Sequence, residues 1–197
     1  MAEGRADSRG AILDAAVALV KRVGAGGLTI DGVAKEAGCA KGLVHYHLKS
    51  KQALLQSVAE HVVDERERSW TRAFAAPSPE EAISSTWRLL TSESDDGTMR
   101  AWLTLTTAGG GVTERTVSEL TRRFSDALGL AAGRLLNGLG LSLTVPDVEI
   151  GWLLGAVVDG MGLRLTGGGD RAQLEGAYAA AWLGVLSLTE GRDRDQR

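Results

Sequence analysis

The sequence predicts an all-α protein of about nine helices. Apolar residues recur at intervals of three and four in every long segment of the 197-residue chain, which is the period of one helical face. Stretches that contain glycine or proline separate these segments, and no useful length alternates with the period of two that marks a strand. We therefore expect an N-terminal unit of three helices, a connecting helix and a C-terminal helical bundle, without strands.

The first three predicted helices are short. Helix one spans residues 8–23, and the glycines within residues 24–27 interrupt it. Thr29 stands where a second helix needs an N-cap, and Gly38 stands where that helix needs a left-handed residue to end. A third helix starts almost at once, with an inward-facing apolar pair, Val44 and Leu48. Two short helices joined by about three residues predict a helix-turn-helix.

The connecting helix is predicted over residues 50–75, with Ser50 as a second N-cap candidate. Pro77 and Pro79 end it, and Pro79 suits the first turn of a further helix through Glu93. Later apolar-periodic segments are 112–139, 147–165 and 171–188. The charged tail from Glu190 has no apolar anchor and is expected to be disordered. The predicted domains are 1–50, 51–190 and 191–197.

The charge of the chain is unevenly distributed. Residues 1–55 carry eight Lys and Arg against five Asp and Glu, whereas the remainder carries 14 against 20, and every lysine lies at or before position 51. A basic N-terminal part on an acidic body is expected when only that part approaches phosphates, although clustering by chance is the alternative. No apolar run is long enough for a membrane span, and the start lacks a signal peptide, so we expect a cytoplasmic protein.

Two stretches carry a specific resemblance to a known family. They are RGAILDAAVALVKRVG, residues 9–24, and TIDGVAKEAGCAKGLVHYHLKSKQALL, residues 29–55. Six features of these stretches closely resemble the DNA-binding domain of the TetR family of transcriptional regulators. They are an Ile-Leu-x-Ala-Ala first helix, a glycine before a threonine cap, Ala-Gly at the turn, Lys-Gly opening the third helix, Tyr-His near its end and Ser-Lys after it. The resemblance covers about a quarter of the chain. It implies a DNA-binding transcription regulator, most often a repressor that a small-molecule effector releases from its operator, although activation stays open.

Physical reasoning assigns separate roles to the residues of this domain. Lys41, Gly42 and Leu43, at the start of the third helix, are expected to enter the major groove and touch base edges. The hydroxyl of Thr29, at a helix N-terminus, and Lys51 can contact backbone phosphates. The resemblance implies the same for three residues near the end of the third helix: His45, Tyr46 and His47.

Five residues depart from the usual pattern of the family, and one of them, Leu48, replaces a frequent phenylalanine and is expected in the core. Leu43 replaces a common threonine and can pack against a thymine methyl, which predicts thymine at that contact. His45 replaces a frequent aromatic residue and is either a pH-sensitive phosphate ligand or simply a solvated ring. Ala40 replaces a common serine. Cys39 replaces a common valine and is expected to be a small buried hydrophobic residue, with a redox sensor as the alternative.

The C-terminal part contains all five tryptophans. Each of them can simply be a core residue. The family resemblance implies a pocket enclosed by helices four to seven, and an apolar pocket suits a small apolar or aromatic effector. The arginines at 100, 122 and 123 are candidates to orient a carboxylate, although a solvated helix face is the plainer interpretation. The predicted pocket residues are Trp70, Trp87, Met99, Trp102 and Phe124.

Small residues recur in the last two apolar segments, about 147–165 and 171–188. Glycine inside a helix costs up to about 1 kcal/mol relative to alanine, so we expect a close approach of backbones to compensate. We predict that these helices pair with their copies in a homodimer and that the operator is a palindrome in double-stranded DNA. Residues 158–161, Val-Asp-Gly-Met, also resemble the dimerisation region of the family.

Other classes of protein fit less well. An enzyme with an apolar cavity is the first alternative, but no serine, cysteine or histidine stands in a known nucleophile setting. A helical module that binds other proteins is the second, and the placement of the lysines speaks against it. One cysteine and three histidines predict neither a disulfide nor a metal site, and we expect no cofactor.

Overall fold

A computed structural model describes residues 3–107 and 111–191, with side chains from Ser8 onward. Within these residues the chain forms nine α-helices, as predicted, and the all-α fold class is confirmed. No helix among them is long and apolar enough to cross a membrane. The helices are α1 Glu3–Val23, α2 Ile30–Glu36, α3 Lys41–Leu48, α4 Lys51–Phe74, α5 Pro79–Asp95, α6 Thr98–Thr106, α7 Glu114–Gly138, α8 Asp147–Thr166 and α9 Arg171–Ser187.

Two short strands correct the expectation that the chain has none. Strand β1, Leu141–Leu143, pairs antiparallel with strand β2, Thr189–Gly191. Runs of three residues are too short for a period of two to be recognised, and their pairing rests on backbone groups that the side-chain pattern does not record. The predicted disordered tail therefore begins too early, because Glu190 and Gly191 belong to β2. Residues 192–197 of that tail lie outside the described residues.

The helices group into two compact units. The first contains the chain up to Asp64 together with Asp96–Leu120, and the second contains Glu65–Asp95 and the chain from Thr121 onward. Helices α4 and α7 each contribute residues to both units.

The helix-turn-helix of the first unit is built from local caps. The Thr29 hydroxyl accepts a hydrogen bond from the Gly32 amide at 3.0 Å, so Thr29 is the predicted N-cap of α2. Gly38 follows α2 with a φ of +63°, the left-handed conformation that glycine adopts without strain. The Ser50 hydroxyl accepts from the Ala53 amide at 3.1 Å at the start of α4. These three predicted helix ends are confirmed.

Helix α6 also packs on α1 within the first unit. Arg100 donates hydrogen bonds to the carbonyl oxygens of Lys21 and Arg22, which lie in the last turn of α1, where carbonyls lack partners within the helix. The Thr104 hydroxyl accepts from the amide of Ala25 just beyond. Neither predicted role of Arg100, as a carboxylate ligand or as part of a solvated face, describes this contact.

The core of the second unit is aromatic. Trp70 and Phe124 meet edge to face at 6.1 Å between ring centroids, and Phe74 lies 5.5 Å from Trp182. Trp87 lies 5.5 Å from Tyr178, and burial raises the pKa of the Tyr178 hydroxyl.

Glycines let α7 and α8 approach closely inside the second unit. A Cβ on Gly151 would overlap with the carbonyl of Ser125, and a Cβ on Gly129 would overlap with that of Asp147. A Cβ on Gly155 would lie 3.0 Å from the hydroxyl oxygen of Ser125. The close approach expected of small residues in α8 therefore occurs within one chain at these positions.

Candidate nucleic-acid interface

Helix α3 presents most of its side chains to solvent. Val44 and Leu48 are buried and fix the helix on the first unit. The residues between and before them are exposed, apart from a half-buried His47, and they include Tyr46, whose side chain is 58% exposed although it is large and aromatic. The predicted base-contacting residues, Lys41, Gly42 and Leu43, form the exposed first turn. The inward-facing pair Val44 and Leu48 predicts that the opposite face of α3 is exposed, and the structure shows this exposed face.

The first turn of α3 carries an ion pair that the sequence does not reveal. The ammonium nitrogen of Lys41 lies 2.8 Å from a carboxylate oxygen of Asp31, in the first turn of α2. Both side chains are more than half exposed, so this pair contributes little to stability, and phosphates can compete with it. Asp31 orients Lys41 in the absence of DNA.

The phosphate-facing candidates lie on both sides of this turn. Thr29 is exposed, and because its oxygen accepts from the Gly32 amide, its hydroxyl hydrogen remains available as a donor. His45 is exposed. His47 is half-buried and packs edge to face on Tyr46, with ring centroids 5.1 Å apart. Lys51 is exposed in the first turn of α4, and it forms no ion pair with any described residue.

Three further residues were predicted with alternatives. Cys39 is half-buried, between the inert buried thiol that we expected and an exposed reactive one. Arg122 forms an exposed pair with Asp126, whereas Arg123 binds the carboxylate of Glu67 at 2.9 Å between α7 and α4. Both arginines therefore have carboxylate partners in the chain itself.

The predicted effector-site residues are all buried and fall in both units. Trp70, Trp87 and Phe124 belong to the aromatic core of the second unit, whereas Met99 and Trp102 lie on α6 in the first. Their burial agrees with either a pocket or a plain core. That they surround one effector cavity stays a prediction.

A buried ionic cluster in the second unit was missed by the sequence reasoning. Arg66 donates from Nε to Glu93 at 3.0 Å, and the indole of Trp70 donates to the other Glu93 oxygen at 2.8 Å. The Arg66 guanidinium also lies over the ring of Phe124, 4.1 Å from its centroid, and 3.9 Å from the carboxylate of Asp159. The available signal was the position of Arg66 between Val62 and Trp70 at intervals of four, on the apolar face of α4.

The family comparison agrees with the geometry of the helix-turn-helix. Residues 12–58 match the family model described as bacterial regulatory proteins, tetR family. The matched segment contains the inward apolar pair of α3, its exposed face and the caps of α2 and α4. This segment is therefore similar to the DNA-binding domain of the TetR family.

Solved structures extend the likeness to the whole fold. A putative transcriptional regulator from Rhodococcus sp. RHA1 superposes with a TM-score of 0.72 at 19% identity, over 91% of this chain and 95% of that one. A TetR-family regulator from Agrobacterium tumefaciens gives a TM-score of 0.71 at 18% identity, over 92% and 98%. A TetR transcription regulator from Haloarcula marismortui gives 0.71 at 19% identity, over 94% and 100%. A search of curated proteins found no match.

These findings confirm the resemblance stated from the sequence. The chain has a TetR-like helix-turn-helix within residues 12–58, followed by a helical C-terminal part. The structural likeness shows the fold and no more than the fold, because the sequence identities are below 25%.

Proposed function

We propose that this chain is a homodimeric repressor of the TetR family that binds a palindromic operator and leaves it when a small apolar or aromatic effector binds. The observation that carries the proposal is the exposed face of α3, which has no role in the core and lies among the lysines of the chain. Residues 1–50 form the DNA-binding domain in this proposal, and residues 51–190 bind the effector and the second subunit. We assign no catalytic role to either part.

Residue roles follow from where each side chain lies. Lys41, Gly42 and Leu43 read base edges, because the N-terminal turn of a recognition helix enters the major groove. Lys41 exchanges Asp31 for a base or a phosphate, and Leu43 packs on a thymine methyl. The phosphate contacts set register and affinity, and they come from Thr29, His45, Tyr46, His47 and Lys51.

The dimer proposal rests on the exposed apolar side chains of α8 and α9. Trp152, Leu153 and Leu163 on α8 and Leu183 on α9 are between 44% and 66% exposed. A surface of this kind favours burial against a second copy, since large apolar patches are rare on monomers. Twofold symmetry then places the two recognition helices about 34 to 36 Å apart, or somewhat more, which implies a palindromic operator.

Release requires an effector that distinguishes two conformations. An effector shifts the equilibrium between DNA-binding and non-binding states only by the difference between its affinities for them. Helix α4 is the proposed link, because it begins with the phosphate contact Lys51 and continues to Trp70 in the aromatic core. The proposed effector contacts remain Trp70, Trp87, Met99, Trp102 and Phe124.

A mobility-shift titration on DNA from the promoter of the chain's own gene tests this proposal. Affinity is expected to fall steeply with salt, because each phosphate contact releases counterions, and affinity that is flat against salt contradicts DNA binding. Lys51→Ala should weaken all duplexes similarly and reduce the salt slope by about one. The matched control is Lys35→Ala, an exposed lysine of α2 with no proposed contact, which should change neither.

The specificity role is tested by a change at a single base contact. Leu43→Thr should change which base is preferred at one position in each half-site, while leaving the salt slope unchanged. An unchanged preference across a library of operator variants would exclude Leu43 from the base contacts.

A further inference from the structure

A groove lies between the C-terminal half of α4 and α7 in the second unit. Its apolar part has a volume of about 340 Å³ and is lined by Phe74, Leu135 and Leu139 among others. An adjoining part has a volume of about 480 Å³. Thr71 and Arg134 line both parts, so the two parts are adjacent. Volumes of this size suit a small organic molecule.

The adjoining part of the groove is rich in arginine. Arg68 and Arg72 line it from α4, and Arg134 lines it from α7. Leu130, whose side chain is 50% exposed, lies on the same surface. The groove therefore combines an apolar stretch with a cationic one, and Arg134 belongs to both.

The positive charge of the groove is not neutralised by its single acidic residue. The carboxylate of Glu67 is held by Arg123 at 2.9 Å and is therefore balanced. Arg72 donates only within its own helix, at 3.3 Å. Arg68 and Arg134 make no side-chain hydrogen bond or ion pair with the described residues. Guanidinium groups bind carboxylates and phosphates through two parallel hydrogen bonds, and these three side chains are exposed and accessible to such a ligand.

The geometry points to a binding site for an amphipathic organic anion, distinct from the residues to which the effector contacts were assigned. Its charged head binds Arg134 and Arg68, and its apolar body lies along Phe74 and Leu135. A neutral apolar molecule lacks the head, and a small inorganic anion lacks the body. Binding itself does not depend on the proposed regulation, whereas the role of this anion as effector rests on the proposed function.

Calorimetric titration of the full chain with decanoate, below its micelle concentration, tests the site. Decanoate should bind saturably, and decanol and acetate should each bind at least about tenfold more weakly, because each lacks one half of the ligand. Decyl phosphate distinguishes a carboxylate site from a general site for anionic heads, and equal binding is expected. Decanol that binds as tightly as decanoate would overturn the proposal.

Variants then locate the site. Arg134→Gln should weaken decanoate binding about tenfold, as expected for the loss of a charge-assisted hydrogen bond. Arg115→Gln, an exposed arginine of the same helix outside the groove, is the matched control and should have no effect. Leu130→Asp should repel the anion, whereas Leu130→Asn, of the same shape without charge, should weaken binding much less. Equal effects of Arg134→Gln and Arg115→Gln would also overturn the site.

The role as effector is tested separately on the operator complex. Decanoate at saturating concentration should release the wild-type protein from DNA and should release Arg134→Gln only at about tenfold higher concentration. If decanoate binds in the calorimeter but leaves the complex intact, the site stands and its regulatory role is excluded. If no duplex binds even without decanoate, the proposed repressor function fails while the binding data remain valid.

Discussion

Two arginine–glutamate pairs, one in each unit, have the same chemistry in opposite surroundings. In the first unit Arg22 on α1 meets Glu36 on α2 at 2.6 Å, and the two side chains are 55% and 34% exposed. In the second unit Arg66 meets Glu93 at 3.0 Å, and the side chains are 0% and 6% exposed. The exposed pair holds its two helices together less strongly although its contact is shorter, because water solvates both charges when the pair opens. The buried charges of Arg66 and Glu93 have no such alternative.

Removal of one buried partner is the strongest test of this contrast. Glu93→Ala should lower the free energy of unfolding by about 3–5 kcal/mol, because it leaves the buried Arg66 guanidinium without its principal counter-charge. Denaturant titration followed by circular dichroism measures the change. Glu36→Ala is the matched control for an exposed pair, and an equal loss in both variants would contradict the contrast.

Substitution of glycine by alanine also compares a tightly packed position with an exposed one. Gly151→Ala forces a Cβ against the Ser125 carbonyl and should cost about 1–3 kcal/mol of unfolding free energy. Gly10→Ala, inside α1 with no atom within 4 Å of the new Cβ, should instead stabilise by up to about 1 kcal/mol. Thermal unfolding of both variants measures this. A stabilised Gly151→Ala would show that α7 and α8 are not so close.

The helix cap at Thr29 is exposed, like the pair between Arg22 and Glu36, but it contributes more to the free energy of unfolding. Thr29→Ala removes the acceptor for the Gly32 amide and should cost about 1 kcal/mol of stability. Thr29→Ser retains an oxygen in this position and should recover most of the loss. Chemical denaturation of the two variants decides, and a loss that serine does not recover would assign the effect to the threonine methyl group.

The smallest expected effect is the pH dependence of the exposed pair. The hydrogen bond from Arg22 lowers the pKa of the Glu36 carboxyl below its ordinary value of 4.5. Its contribution to stability is therefore present above that value and is lost as pH falls through the lower value of the folded state. The difference in Tm between wild type and Glu36→Gln should be small at neutral pH and should shrink as the pH is lowered below 4.5. A difference that grows on acidification would contradict this sign.

The N-terminal helices were predictable because their determinants are local. Thr29, Gly38 and Ser50 end or begin helices through contacts within a few residues, and Val44 with Leu48 fixes which face of α3 turns outward. The pair between Asp31 and Lys41 was not predicted, since the turn that brings α2 to α3 must be known first.

Elsewhere the determinants are distant in sequence. Arg66 and Glu93 are 27 residues apart, and β1 pairs with a strand that follows α9. Two glycines of α8, Gly151 and Gly155, were correctly interpreted as sites of close approach, whereas a Cβ on Gly160 would meet only Arg164 of the same helix, at 3.8 Å. Spacing alone does not reveal the partner. At Gly151 and Gly155 that partner is Ser125 on α7 of the same chain.

The hydrogen bond from the Ala25 amide to Thr104 can report on the contact between α1 and α6. The amide lies just after α1 and its acceptor lies on α6, so exchange of its hydrogen with deuterium requires that local contact to open. The exchange rate of one amide therefore measures how often α6 leaves α1. Its change on addition of a ligand would reveal whether that ligand loosens or tightens the junction, before any DNA is added.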